Sequence, residues 1–434
     1  MSSSLPSYLT WHTFALLRWY IFLAFFALVA GAWLLYLLLY FLAPYPRPPH
    51  RLEKLYRTIE PSGDVSGYET LPCWHDSWIL AKTAALKDAR EKARDEKRKK
   101  QGAAAAWAQV EGEEVRVDPA AIEVERAEVR MSVVVPAFNE EERLGRMLGE
   151  AVGVLEGVYG DIGERETGYE RVEMKEGGAG VVRRKVGVPS AAVADGEGNG
   201  HARKMDDKQV KGWEILVVSD GSTDKTVETA LGFAKELPVG QRGRIRVVHL
   251  GENRGKGGAV THGMRHVRGQ YVVFADADGA SRFEDLGTLV QRCQDIEDAQ
   301  GRGVAVGSRA HLVGSEAVVK RSFLRNLLMH SFHLLLRLLT PPKTAAIRDT
   351  QCGFKLFSRA SLPYIIPYMH SEGWIFDVEM LMLAESAGIK VVEVPVGWKE
   401  VKGSKLNVLW DSLGMAWGLA VLRGAWGLGI YEQT

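Results

Sequence analysis

Asp276 and Asp278 stand two residues apart in the run Asp276-Ala277-Asp278-Gly279, directly after the apolar stretch QYVVFA. Leaving a strand end together, both carboxylates can face one cation. Hard oxygen ligands suit Mg2+ or Mn2+, which usually also take phosphate oxygens from a substrate. Such an ion neutralises charge building on a departing diphosphate. The competing reading is a pair of solvated turn aspartates, the commoner fate of an acidic pair in a loop. A calcium loop is excluded, because the later ligands it requires are missing.

A second stretch, GENRGKGG from Gly251 to Gly258, invites a phosphate-loop reading and fails it. Only three residues separate Gly251 from Gly255, and Gly257 follows Lys256 where Ser or Thr is required. What remains is a cationic loop before a helix N-terminus, which can approach phosphate. A plain strand–helix turn competes with that reading.

These groups need a scaffold. MSVVVPAF, WEILVVSD, RIRVVHL and QYVVFAD are short β-branched runs typical of buried strands. After the first, Asn139 precedes EEERLGRMLGEAVGVL, where Leu144, Met147, Leu148, Val152 and Leu155 recur at helical spacing. Its glutamates are expected in the first turn, at the positive end of the helix dipole. A helix is expected from about Asp224 to Leu237, and another within GENRGKGGAVTHGMRHV. Strands alternating with helices predict an α/β fold with a mostly parallel sheet and helices on both faces. Ligands of such sheets gather beyond the carboxyl ends of the strands. Asn139, Asp220 and Asp276 all fall there.

The chain has 434 residues, 46% apolar and 25% charged, with a formal charge of +1. That balance gives no argument for nucleic acid or another polyanionic partner. Cys73, Cys293 and Cys352 have no metal-ligand spacing and cannot form a disulfide framework, which fits a reducing compartment. Trp19 to Ala43 carries no charge and is long enough to span a bilayer with some tilt. It exceeds the apolar core of a cleavable signal peptide. Only Arg18 precedes it, whereas Arg47, Arg51, Lys54 and Arg57 follow, so the remainder of the chain is expected on the cytosolic side.

The expected organisation is a transmembrane anchor at 1–45, a juxtamembrane linker with a charged helix at 46–130, a catalytic domain at 131–400 and a membrane-associated segment at 401–434. Within the linker, Lys82 to Lys100 reads as a solvated helix that is also placed to contact anionic lipid. Residues 157–211, rich in Gly and charge without a sustained period, read as a flexible insertion. The apolar stretches 323–336 and 406–430 read as interfacial helices or as core, the isolated cations of the first arguing against a second span.

In chain order, VVVPAFNEEERL, EILVVSDGSTDKT, NRGKGGAV, DADG and VGSRAHL, then RDTQCGFKLF, GWIFDVEML and GSKL, resemble family-2 glycosyltransferases of GT-A (Rossmann-like) fold. Within them the chain is most similar to the dolichyl-phosphate β-glucosyltransferases. The resemblance implies inverting transfer of glucose from UDP-glucose to dolichyl phosphate, giving dolichyl β-D-glucosyl phosphate and UDP for lipid-linked oligosaccharide assembly. It implies an endoplasmic reticulum membrane protein with a lumenal N-terminus, in contact with the lipid bilayer; a homo-oligomer stays open.

By the same resemblance, Pro136, Ala137, Phe138, Asn139, Glu140, Asp220, Lys256 and Ala277 would line the nucleotide-sugar site, with Asp276 and Asp278 holding Mg2+ or Mn2+. Arg309, with Arg321 or Arg325, would meet the acceptor phosphate, and Gln351 and Lys355 would lie near it or the sugar. Asp377 matches the acidic position many relatives use as a base. A phosphate monoester is largely dianionic at neutral pH and needs no base, so Asp377 is expected to position groups. Ser219 stands where many relatives carry a first Asp, leaving that role to Asp220 alone. Ala280 stands where related mannosyl enzymes carry Gln, which argues against the rival reading, mannosyl transfer from GDP-mannose. A non-catalytic nucleotide-binding scaffold is the alternative from another class, and retention of Asp276, Asp278 and Arg309 counts against it.

Overall fold

The computed structural model describes residues 7–101, 117–160, 210–312, 331–332, 334–399, 401 and 408–431. Arg321, Arg325 and nearly all of the expected insertion lie outside the described residues.

Helix α1, Ser7–Leu42, carries the apolar run. Its stretch Leu16–Leu42 is unburied and 27 residues long, hence about 40 Å at the α-helical rise, enough to cross a hydrocarbon core. Strands β1, Leu55–Tyr56, and β2, Glu69–Thr70, pair as a short antiparallel ribbon, and helix α2 covers Trp74–Gln101.

Strands β3, Val129–Ala137; β4, Trp213–Asp220; β5, Ile245–Leu250; β6, Gly269–Ala275; β7, Val304–Ser308; β8, Phe354–Ser358; and β9, Val391–Pro395, form one sheet in the order β5-β4-β3-β6-β8-β7-β9. All neighbours are parallel except β8, which runs against both β6 and β7. Along β3, Met131, Val133 and Val135 enter one core while Val134 enters the other. Both faces are therefore covered, which is why MSVVV reads as a continuous apolar run.

Helices α3, Leu144–Tyr159; α4, Thr226–Glu236; and α6, Leu286–Ile296, cover the face of Val133. Helices α5, Gly255–Met264, and α8, Phe376–Ser386, cover the other, with α7, Pro342–Ala346, beside α8. Helix α9, Val408–Gly427, buries Leu419, Val421, Leu422, Ala425 and Trp426 while leaving Trp410, Leu413 and Trp417 exposed. The core reading of this segment thus describes one of its sides, and the other presents apolar side chains.

Two expectations change. Glu140, Glu141 and Glu142 lie in the turn before α3, which begins at Leu144 with no acid in its first turn. Hydrogen bonds of Glu140 and Glu141 tie the β3 and β4 loops together, a tertiary use that outweighs the dipole. Residues 46–130 are also more than a linker. Arg57 exchanges backbone bonds with Val247, Thr58 Oγ1 donates to Ile245 O at 2.6 Å, and Trp74 Nε1 donates to Met264 O at 2.7 Å. This belt covers the outer edge of β5, which would otherwise present unpaired backbone groups. The charged helix accordingly begins at Trp74 and buries Trp74 and Trp78 before turning polar.

Candidate active site

The carboxyl ends of β3, β4 and β6 sit side by side and bring their loops together. Asn139, just past β3, adopts φ 55°, a left-handed conformation that asparagine tolerates better than most residues. From there its N–H donates to Ser222 Oγ and its Oδ1 accepts the Thr223 N–H at 2.8 Å. The Glu140 N–H donates to Thr226 Oγ1 at 2.7 Å, and the Lys225 N–H to Glu141 Oε2 at 2.9 Å. Glu140 forks onto Arg143, with Oε2 accepting from Nε at 2.7 Å. Pro136 and Ala137 are ladder residues of β3, and Phe138 is left partly open at its tip.

Asp220 ends β4, is 3% exposed and accepts the Arg254 N–H at 2.7 Å. Burial pushes its carboxyl up to about 6, against the bonds from the Arg254 and Gly255 backbone and the Arg254 charge. Gly221 follows with φ +67°, and a Cβ there would strike the Asn253 backbone. The β4 turn and the Gly251–Gly258 loop are therefore in direct contact.

Asp276 and Asp278 leave β6 on either side of buried Ala277. Lys256 Nζ lies 2.7 Å from Asp276 Oδ1. Burial disfavours the Lys256 charge, and Asp276 with Asp377 more than offset it, leaving the ammonium harder to deprotonate than usual. Burial and then the Asp276 charge raise Asp278 above the usual carboxylate range. Its Oδ1 accepts the Ala280 N–H at 2.9 Å. Two hard-oxygen donors leaving one strand end together are a fitting donor set for a divalent cation. Gly353 of the antiparallel neighbour lies so close that a Cβ would collide with the Asp276 carboxylate.

Lys355 and Asp377 form a buried pair at 2.5 Å, and Lys355 Nζ also donates to Cys352 O at 2.7 Å. Lys355 is wholly buried against Asp377. Burial raises the Asp377 carboxyl, with Lys355 and Lys256 opposing. Gln351 Nε2 contacts Met415 Sδ at 3.3 Å, which places it beneath α9.

Arg309 forks onto Asp349, Nε to Oδ2 at 2.8 Å and Nη2 to Oδ1 at 2.9 Å, with Trp398 beneath its guanidinium. Burial opposes its charge, Asp349 more than restores it, and Asp276 is close enough to add to the effect. The structure thus joins Lys256, Asp276, Asp278, Asp377 and Arg309 in one electrostatic neighbourhood.

Several residues escaped the sequence reading. Arg143 lies within electrostatic reach of both Asp276 and Asp278, and Arg146 Nη2 donates to Asp278 O at 3.2 Å. Trp374 lies under Lys256, 5.7 Å from ring centroid to Nζ. Asp349 and Glu372 orient Arg309 and Arg254. Arg143 at the N-cap and Arg146 in the first turn mark the start of a visible helix, which is a usable signal. The others have partners too distant in sequence to leave one.

The profile described as Glycosyl transferase family 2 matches residues 206–362. A dolichyl-phosphate beta-glucosyltransferase of Saccharomyces cerevisiae is 35% identical over 413 residues, 94% of each chain. The Drosophila melanogaster protein of that name is 39% identical over 304 residues, 69% of this chain and 77% of its own. The Homo sapiens one is 35% identical over 311 residues, 70% and 79%. Among solved structures, the glucosyl-3-phosphoglycerate synthase of M. tuberculosis aligns with a TM-score of 0.40 and 18% identity over 68% of this chain and 81% of its own.

Proposed function

This chain belongs to the dolichyl-phosphate β-glucosyltransferases of glycosyltransferase family 2, and on that premise we propose that UDP-glucose is its donor and that it works on the cytosolic face of the endoplasmic reticulum membrane. It is an inverting glycosyltransferase that moves glucose to dolichyl phosphate. α1 is the anchor in this reading, holding the enzyme beside an acceptor that cannot leave the bilayer.

The reaction is a single displacement. A phosphate oxygen of the acceptor attacks the anomeric carbon, the bond to the β-phosphate oxygen of UDP breaks, and its electron pair leaves with UDP. The acceptor is already dianionic at neutral pH, so no side chain must take its proton. The chain's task is to hold nucleophile and leaving group in line and to receive developing charge.

The 136–140 strip and Asp220 are assigned to the nucleoside side, where the two loops are stitched together. Lys256 is assigned to the diphosphate, being a cation already held against Asp276. Asp276 and Asp278 would hold Mg2+ or Mn2+, which when bound supplies charge neutralisation on the departing diphosphate. Arg309, planar and pre-aimed by Asp349, is assigned to the acceptor phosphate. Asp377 keeps the Lys355 and Lys256 cations in register, and Gln351 lines the α9 side. Arg321 and Arg325 stay candidates for the acceptor by resemblance alone.

The observation that carries this reading is the meeting of Lys256 with Asp276 at the carboxyl ends of parallel strands, inside electrostatic reach of Arg309. The test is purified protein with dolichyl phosphate and radiolabelled UDP-glucose or GDP-mannose, with and without EDTA. Lipid-linked label from UDP-glucose alone, abolished by EDTA, is expected. Label from GDP-mannose overturns the donor, and nucleotide binding without transfer from either donor overturns catalysis.

A further inference from the structure

Arg254 lies between the membrane exit and the site. Its side chain is 3% exposed. Nε donates to Glu372 Oε1 at 2.8 Å, Nη2 donates to Arg47 O at 2.7 Å, and Nη1 is 3.7 Å from Glu53 Oε2. Its own N–H holds Asp220, and Lys256 follows two residues later.

The exit segment is itself braced against the same loop. Arg47 pairs with Glu53 at 2.9 Å and reaches Glu252 at 3.5 Å. Glu53 Oε2 accepts the His50 N–H at 2.9 Å, and Glu53 O meets His262 Nε2 of α5 at 2.8 Å. On the far side the Gly258 N–H donates to Glu372 O at 3.1 Å. Arg47 lies only five residues beyond Leu42, the last residue of α1.

We infer that Arg254 is a positioning residue that sets the Lys256 loop relative to the bilayer, through Glu53 and the Arg47 backbone on one side and Glu372 on the other. This rests on the functional reading above and adds to it where the catalytic loop takes its height from. A lipid-borne phosphate presents itself at a fixed depth. An enzyme acting on it gains by deriving the position of its charges from the segment that leaves the same membrane. A buried guanidinium suits that task, because its planar fork fixes several partners at once. A buried carboxylate such as Glu53, shared by Arg47 and Arg254, couples the two ends.

Glu53→Gln loosens the exit side without touching a group of the reaction. Since a misplacement of about 1 Å can cost on the order of 10²-fold, turnover on dolichyl phosphate in bilayer nanodiscs is expected to fall about tenfold, while transfer to a short water-soluble isoprenyl phosphate stays within about twofold. Hydrogen exchange of segments 47–54 and 252–258 is expected to quicken together. Arg254→Lys is expected to recover part of the bilayer activity that Arg254→Ala loses. Equal losses on the two acceptors, no loss on either, or faster exchange confined to 47–54 overturns the coupling. Wild-type protein that transfers to neither acceptor overturns the functional reading instead, and the exchange data still decide the coupling.

Discussion

Lys256 Nζ stands 2.7 Å from Asp276 Oδ1, so the acidic pair already has a cation beside it. A divalent ion and a diphosphate arriving together would give that ammonium a new anion to face. Asp276→Asn and Asp278→Asn are each expected to lower glucosyl transfer by on the order of 10²–10³-fold, the loss typical of removing a charge-stabilising group. Both should also weaken Mn2+-dependent UDP binding by calorimetry. Full activity in the double variant would remove the metal from the scheme.

Asp377 and Lys355 stand or fall as a pair. Breaking a buried ion pair leaves one charge unmatched and costs about 3–5 kcal/mol. Asp377→Asn should therefore lower the melting temperature, and adding Lys355→Met should restore part of it. Because the acceptor needs no base, turnover of the folded Asp377→Asn protein should fall far less than that of Asp276→Asn. Equal kinetic losses, with folding intact, would make Asp377 a proton acceptor.

Arg309 is aimed by Asp349. Arg309→Lys keeps the charge and loses the fork, so KM for dolichyl phosphate should rise by about tenfold, one lost charge-assisted bond, with KM for UDP-glucose little changed. Asp349→Asn should move the same constant in the same direction. A rise confined to the donor constant would reassign Arg309 to the nucleotide.

Asp220 supplies a pH signature. Its folded carboxyl holds a proton up to about 6, well above its unfolded value. Between about pH 4 and 6 the folded state binds more protons, so this group's contribution to stability is complete at acid pH and lost as pH rises through that window. Asp220→Asn can still accept the Arg254 N–H and does not titrate. Without ligand, the variant should gain on wild type by up to about 3 kcal/mol between pH 4 and 7, read from denaturant midpoints. A pH-independent difference would contradict the shifted carboxyl.

The four early strands were legible because both sheet faces are covered, so Val133–Val135 and Leu216–Val218 read as unbroken apolar runs. The acidic pair was legible because it follows a strand directly. The burial of Lys355 was not legible, because the partners that make it tolerable include Asp377, 22 residues on. The 51–79 belt was missed for a related reason: two-residue strands and single tryptophans carry no period, and their partners near Ile245 and Met264 lie almost two hundred residues away. The glutamates before α3 carried a helix-start signal that reciprocal loop bonds overrode.

Tyr431 Oη donates to Pro44 O at 2.5 Å while Tyr45 Oη donates to Ile430 O at 3.1 Å, a reciprocal clasp whose halves are 387 and 385 residues apart in sequence. Translation delivers Pro44 and Tyr45 early and their partners hundreds of peptide bonds later. The apolar helix must thus emerge long before the fastening just past its C-terminal end exists. Closure of that fastening is a late event in biogenesis, available only to a polypeptide whose intervening sheet has already brought the two stretches face to face.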